Sequence, residues 1–173
     1  MRELVISIRR ARLSDAEGLS IVHDAAWREA YQGVLPGVAL ERMIARRGPD
    51  WWRQNATRGH EPGARQMLVL EVGDQVGGYV IYGPNRMLSL PQRGEIDALY
   101  LDPVCQGLGL GRRLFRAARR DLSGRSLGST VIWCLDANTR GSQFYAGLGG
   151  VLHTRADFRI GGVDFPASAW AFS

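Results

Sequence analysis

Apolar residues along this chain recur in two rhythms, one of strands and one of helices. Ile6 and Ile8 alternate with polar neighbours, which predicts a first strand from Val5 to Arg12, headed by Met1-Arg2-Glu3. Ser14 and Asp15 then supply an N-cap, with Glu17 behind them in the style of a capping box. Leu19, Val22, Ala26, Trp27 and Ala30 recur at helical spacing, so a helix is expected from about Asp15 to about Tyr31, ended by Gly33 and Pro36. Val38–Arg47 reads as a second helix with Leu40, Met43 and Ile44 on one side. Gly48 and Pro49 break it, Asp50–Gln54 restart a short helix, and residues 59–65 read as loop.

Strands follow. Gln66–Val72 and Val76–Tyr82 flank the compact turn signal Gly73-Asp74-Gln75 and predict a hairpin. Glu95–Leu101 reads as a fourth strand, closed by Asp102 and Pro103. Beyond a glycine-rich turn, Leu114, Phe115, Ala118 and Leu122 predict a helix from about Gly111 to about Leu122. Thr130–Leu135 is a continuous apolar run, as a strand buried on both faces gives. Asn138–Leu148 reads as a short helix stopped by Gly149 and Gly150. Val151–Arg159 and Val163–Phe172 read as two last strands joined at Gly161-Gly162. This order predicts one α/β domain over residues 1–173, a mixed, mostly antiparallel sheet of about seven strands flanked by about four helices.

Charge narrows the classes. The net charge of +5 comes from 22 arginines, no lysine, and 17 acidic residues. The arginines are scattered in local pairs such as Arg9-Arg10, Arg46-Arg47 and Arg119-Arg120, and no strand carries an aromatic stacking platform. A nucleic-acid partner is therefore not expected; solvated faces plus an anionic ligand account for the charge. No apolar run approaches a membrane span, and no small-residue cleavage site follows the short, alternating N-terminus. Cys105 and Cys134 form no CxxC pair and have no histidine cluster near them, and His23, His60 and His153 share no metal or triad spacing. No metal is expected, and the two thiols read as small hydrophobes rather than nucleophiles.

The sharpest local feature is Gln106-Gly107-Leu108-Gly109-Leu110-Gly111-Arg112-Arg113, set between a strand and a helix. Glycines let a backbone approach a ligand closely and admit positive φ. Successive amides in such a turn, with the helix N-terminus, form an anion cradle suited to a pyrophosphate. Arg112 and Arg113 sit on the first helical turn, where they oppose the helix dipole unless an anion offsets them. A Rossmann fingerprint needs glycine where Arg112 stands, and a P-loop needs a Gly-Lys-Ser/Thr that is absent.

Gln106-x-x-Gly109-x-Gly111 is similar to the Q/R-x-x-G-x-G/A motif of GNAT acetyltransferases. The preceding Leu99-Tyr100-Leu101-Asp102-Pro103 resembles the end of that family's fourth strand. Asn138 and Phe144-Tyr145-x-x-Leu148-Gly149 resemble its "N…A…FY…LGF" segment, with departures at Gly141 or Ser142, where the family often has Ala, and at Gly150, where it usually has Phe. The resemblance implies acetyl-CoA as cosubstrate. Its pyrophosphate would lie on Gln106, Gly107, Leu108, Gly109, Leu110, Gly111 and Arg112, and its pantetheine arm on Leu99, Tyr100 and Leu101, with Asn138 and Tyr145 nearby. It further implies Tyr145 as general acid and Glu95, eleven positions before Gln106, in the general-base position. Asp97 shares a strand face with Glu95 and is expected to meet the acceptor ammonium or to support the site. Glu29 and Tyr31 lie in the stretch that usually shapes the acceptor pocket. The acceptor would be a small-molecule or protein amine, the setting cytoplasmic, and a homodimer would form through the C-terminal strands. The competing reading is a catalytically silent acyl-CoA-binding sensor or interaction module, against which Tyr145 and Asn138 argue.

Overall fold

The computed structural model describes residues 4–61 and 63–173. Met1, Arg2 and Glu3, expected at the head of the first strand, and Pro62, in the expected loop, lie outside the described residues, as does the side chain of His60. Strands β1 (Ile6–Arg10), β2 (Gln66–Val72), β3 (Gln75–Pro84), β4 (Gly94–Leu101), β5 (Thr130–Leu135), β6 (Val151–Ile160) and β7 (Val163–Phe172) form one sheet in the order β1-β2-β3-β4-β5-β7-β6. Every neighbouring pair is antiparallel except β4 and β5. The helices are α1 (Ala16–Tyr31), α2 (Gly37–Ala45), α3 (Pro49–Asn55), α4 (Leu110–Gly124) and α5 (Thr139–Gly147). They are five among the described residues, not about four. The short α3, expected over Asp50–Gln54, is opened by Pro49 at a position where its missing N–H costs nothing.

The two sheet faces carry separate cores. Leu110, Leu114, Phe115, Ala118 and Leu122 of α4 pack on Leu68, Leu70, Val80, Tyr82 and Ile132. Burying one such Leu is worth about 1.5–3 kcal/mol. On the other face α1 and α3 lay Ala16, Leu19, Val22 and Trp52 over Met67, Val69, Tyr79 and Ile81. Trp52 is fully buried there, and Trp51 is half-buried under the Arg47 guanidinium. His23 is buried in the same layer with Nδ1 2.7 Å from the Tyr79 hydroxyl, and burial pushes its pKa down to about 4.

The expected capping box at α1 does not form. Ser14 lies in a 3-10 turn, Leu13–Asp15, ahead of the helix. The carboxylate of Asp15 accepts the Arg12 amide at 2.7 Å and both Arg9 guanidinium nitrogens at 2.8 and 2.9 Å. Burial would raise the Asp15 pKa, but these donors outweigh it and hold the group below the usual range. Glu17 is exposed and pairs with Arg53 of α3 instead.

An irregularity in β4 decides which side chains reach the site. Ile81 pairs with Ala98 while Tyr82 pairs with Ile96, so Asp97 is an extra residue in the ladder. Ile96, Leu99 and Leu101 consequently face the α4 core, and Ala98 and Tyr100 face the α1 side.

Candidate active site

β4 and β5 pair only through Gly94–Thr130, Glu95–Val131 and Ile96–Ile132. All six residues of β5 pair with β7, from Thr130–Phe172 to Leu135–Ala167, which draws β5 away from β4 beyond Ile96. The sheet therefore forks, and backbone groups on that side of β4 are left without a strand partner. A cleft of about 560 Å³ opens in the fork, within the range of small-molecule sites. Leu99, Tyr100, Leu101, Asn138 and Tyr145 line it with Tyr31, Glu29 and Asp97.

The glycine-rich turn closes one end. Gly107 and Gly109 adopt φ of 75° and 74°, and Gly109 is the N-cap of α4. A glycine cap offers no side-chain acceptor, so the first amides of α4, from Leu110 to Arg112, have no intrahelical partner. Gln106, Gly107, Gly109, Gly111 and Arg112 line the cleft. Gly111 packs closely under α5: a Cβ there would meet the Phe144 ring at 3.3 Å, a contact the ring must yield to by a few tenths of an ångström. Leu108 is exposed and Leu110 is buried in the core. Those two positions can serve a ligand only through their amides.

Phenols gather at the middle of the fork. The Tyr31 and Tyr100 hydroxyls are 3.1 Å apart, and the Asn138 side-chain amide donates to Tyr31 at 3.5 Å. Asn138 Oδ1 accepts the Gly141 amide at 2.9 Å, capping α5 and fixing which end of its amide faces Tyr31. Tyr145 is buried, and no hydrogen bond to a described residue occupies its hydroxyl. Burial, with Cys134 and Tyr31 nearby, raises its pKa well above the ordinary phenol value, so it stays protonated. Burial also raises the Cys134 and Cys105 thiols, which keeps both in their unreactive form.

The carboxylates divide. Asp97 lines the cleft and pairs with Arg65 and Arg86. Glu95 does not line it: it sits below the fork, where β4 is still paired to β5. Arg86 bonds to both its oxygens at 3.0 and 3.1 Å, and Arg65 lies at 3.4 Å. Burial would raise the Glu95 pKa, but Arg86 and Arg65 outweigh it and hold it low. A caged, low-pKa carboxylate away from the cleft is unsuited to act as base, which corrects the expectation for Glu95.

Residues 22–149 match the sequence model of the Acetyltransferase (GNAT) family. The chain belongs to that family. A probable N-acetyltransferase of Mycobacterium tuberculosis is 29% identical over 166 residues, covering 95% of this chain and 86% of the relative. In fold, the chain resembles the PaiA N-acetyltransferase of Thermoplasma acidophilum, solved with coenzyme A. That match has a TM-score of 0.78 and 19% identity, covering 95% of this chain and 98% of the other. A Salmonella typhimurium structure solved with acetyl-CoA matches at a TM-score of 0.66 and 16% identity, covering 97% and 93%.

Within this GNAT chain the structure brings together most of the residues that the sequence singled out. Glu29 is among them, but its bonds run to Gln106 and Arg140, on the cradle side, and not to Tyr31 or Asp97. Sequence reasoning missed Arg140 and Trp133, which also line the cleft, and the Arg65–Arg86 cage. Arg140, two positions after Asn138, was legible as a first-turn cation. Arg65 and Arg86 come from distant segments and left no local signal.

Proposed function

We propose that the chain is an N-acetyltransferase that moves an acetyl group from acetyl-CoA to a primary amine by direct attack in a ternary complex. The observation that carries this reading is the fork: an amide cradle at one end, unpaired β4 backbone along it, and a protonated phenol at its centre. The amides of the Gln106–Arg112 turn, with Arg112, would hold the donor's diphosphate. The free edge of β4 from Leu99 to Leu101 would take the amide-bearing pantetheine arm, and a backbone N–H there would polarise the thioester carbonyl. That relatives and structural neighbours include N-acetyltransferases, some solved with coenzyme A or acetyl-CoA, supports this choice of donor.

The acceptor amine attacks from the α1 side, where the Tyr31 and Tyr100 hydroxyls pair in a cleft that Asp97 also lines. The Tyr31–Tyr100 pair offers oxygen lone pairs to the amine's N–H groups, and Asp97, paired with Arg65 and Arg86, supports the wall of the site. Water in the cleft removes the amine proton, since Glu95 is caged. The tetrahedral adduct then collapses, the C–S bond breaks, and Tyr145 donates its proton to the departing thiolate. Mass spectrometry of an amine panel, with thiol release followed in parallel, tests the proposal. Acetylated product in step with released CoA supports it; acetyl-CoA hydrolysis without any acetylated amine contradicts it. The homodimer implied by the family would use β6, the outer edge strand, whose side chains are mostly exposed.

A further inference from the structure

Three side chains from three segments meet across the mouth of the cleft. Glu29 of α1 accepts from Gln106 Nε2 at 2.7 Å with one oxygen and from Arg140 Nη1 at 3.0 Å with the other. Gln106 opens the cradle turn, Arg140 lies in the first turn of α5, and all three residues line the cleft. Two donors on the cradle side thus converge on one negative group that arrives from the opposite wall.

The arrangement is weakly held. Glu29 and Arg140 are 38% and 69% exposed, and ion pairs so exposed contribute little to stability. A phosphate is the stronger partner for the same donors, because it offers more acceptor oxygens than a carboxylate and can engage the guanidinium and the Gln106 amide at once. Arg112, on the cradle's own helix, forms no ion pair with a described residue and adds positive potential beside the site. A phosphate in that place would also repel Glu29.

We infer that Arg140 is a phosphate-binding residue for the donor nucleotide and that Glu29 is the internal anion exchanged for that phosphate. The inference rests on the proposed acetyl-CoA donor and assigns a contact that the family motif does not. Glu29 then opposes donor binding in the free protein, and Arg140 supports it.

Calorimetric titration of acetyl-CoA into wild-type, E29Q and R140Q proteins tests this. E29Q removes the competing charge and should tighten binding about two- to fivefold, the worth of an exposed pair. R140Q loses a charge-assisted contact and should weaken binding about tenfold or more, while R140K, which keeps the charge but not the paired hydrogen bonds, should recover only part of that loss. The double variant E29Q/R140Q should bind no better than R140Q. Dephospho-CoA beside CoA separates the sources: a persisting R140Q penalty places Arg140 on the diphosphate, and a vanished one places it on the 3′-phosphate. Wild-type affinity in R140Q, or weakened binding in E29Q, overturns the inference alone. A folded wild-type protein that binds no acetyl-CoA overturns the proposed function as well, so the two failures are distinguishable.

Discussion

Replacing Tyr145 by Phe removes one oxygen atom and leaves the ring in place. The ring is 7% exposed and packs edge-on against Phe144, with centroids 5.2 Å apart, so the walls of the fork should persist. The hydroxyl bonds to no described residue, and its loss should change stability by less than about 1 kcal/mol, a shift within about 2–4 °C in Tm for a chain of this size. Catalysis should respond differently. Proton donation by a placed group contributes about 10²–10⁴ in rate, or about 3–5 kcal/mol of barrier. The Y145F enzyme should therefore lose at least about a hundredfold in kcat while its Kd for acetyl-CoA stays within about twofold. Because burial keeps the phenol protonated, wild-type kcat should show no falling limb from Tyr145 below about pH 10. Thiol release under single-turnover conditions is the assay, since it keeps product release from masking the chemical step. A folded Y145F protein with kcat within about threefold of wild type would refute the assignment and return Tyr145 to a packing role.

Other perturbations probe the parts around it. Gly109→Ala puts an L-residue at φ 74° with no atom within 4 Å of the new Cβ, so strain alone should cost about 1–2 kcal/mol. Acetyl-CoA affinity should fall with it; calorimetry showing tight binding would contradict the cradle. Glu95→Gln should lower stability by about 1–3 kcal/mol in urea, because Arg86 and Arg65 lose a buried carboxylate. The same variant should keep the shape of the wild-type pH–rate profile, and loss of the acid-side rising limb would restore Glu95 as base. His23 titrates near 4 when folded and near 6.5 when unfolded, so its contribution is complete above about pH 6.5 and is lost as pH falls toward 4. Between pH 7 and 5 the wild type should lose about 2 kcal/mol more than H23Q in urea melts, and parallel curves would refute that protonation account.

The sequence made the strands and the cradle legible because both depend on local pattern. Gln66–Val72, Thr130–Leu135 and Val163–Phe172 were bounded as observed, since alternation or a continuous apolar run meets turn residues at each end. The cradle was readable because positive φ at Gly107 and Gly109 demands glycine at those positions. Tertiary facts were not. The extra residue at Asp97 depends on how β3 pairs with β4, and it decides which side chains of β4 face the cleft. Two oppositely charged partners, Arg65 and Arg86, come from segments remote from Glu95 and convert an apparent base into a caged anion. The expected Ser14–Glu17 cap also fails on side-chain pairing: Asp15 is held by Arg9 and the Arg12 amide, and Glu17 is drawn to Arg53 of α3.

Isothermal titration of the purified protein with acetyl-CoA, and separately with NAD, decides whether the fork is a donor site. One acetyl-CoA site per chain, with Kd in about the micromolar range, and no NAD binding are expected. A cooperatively folded sample that shows no acetyl-CoA binding would contradict the donor site, and the Gln106–Gly111 turn would revert to a helix cap.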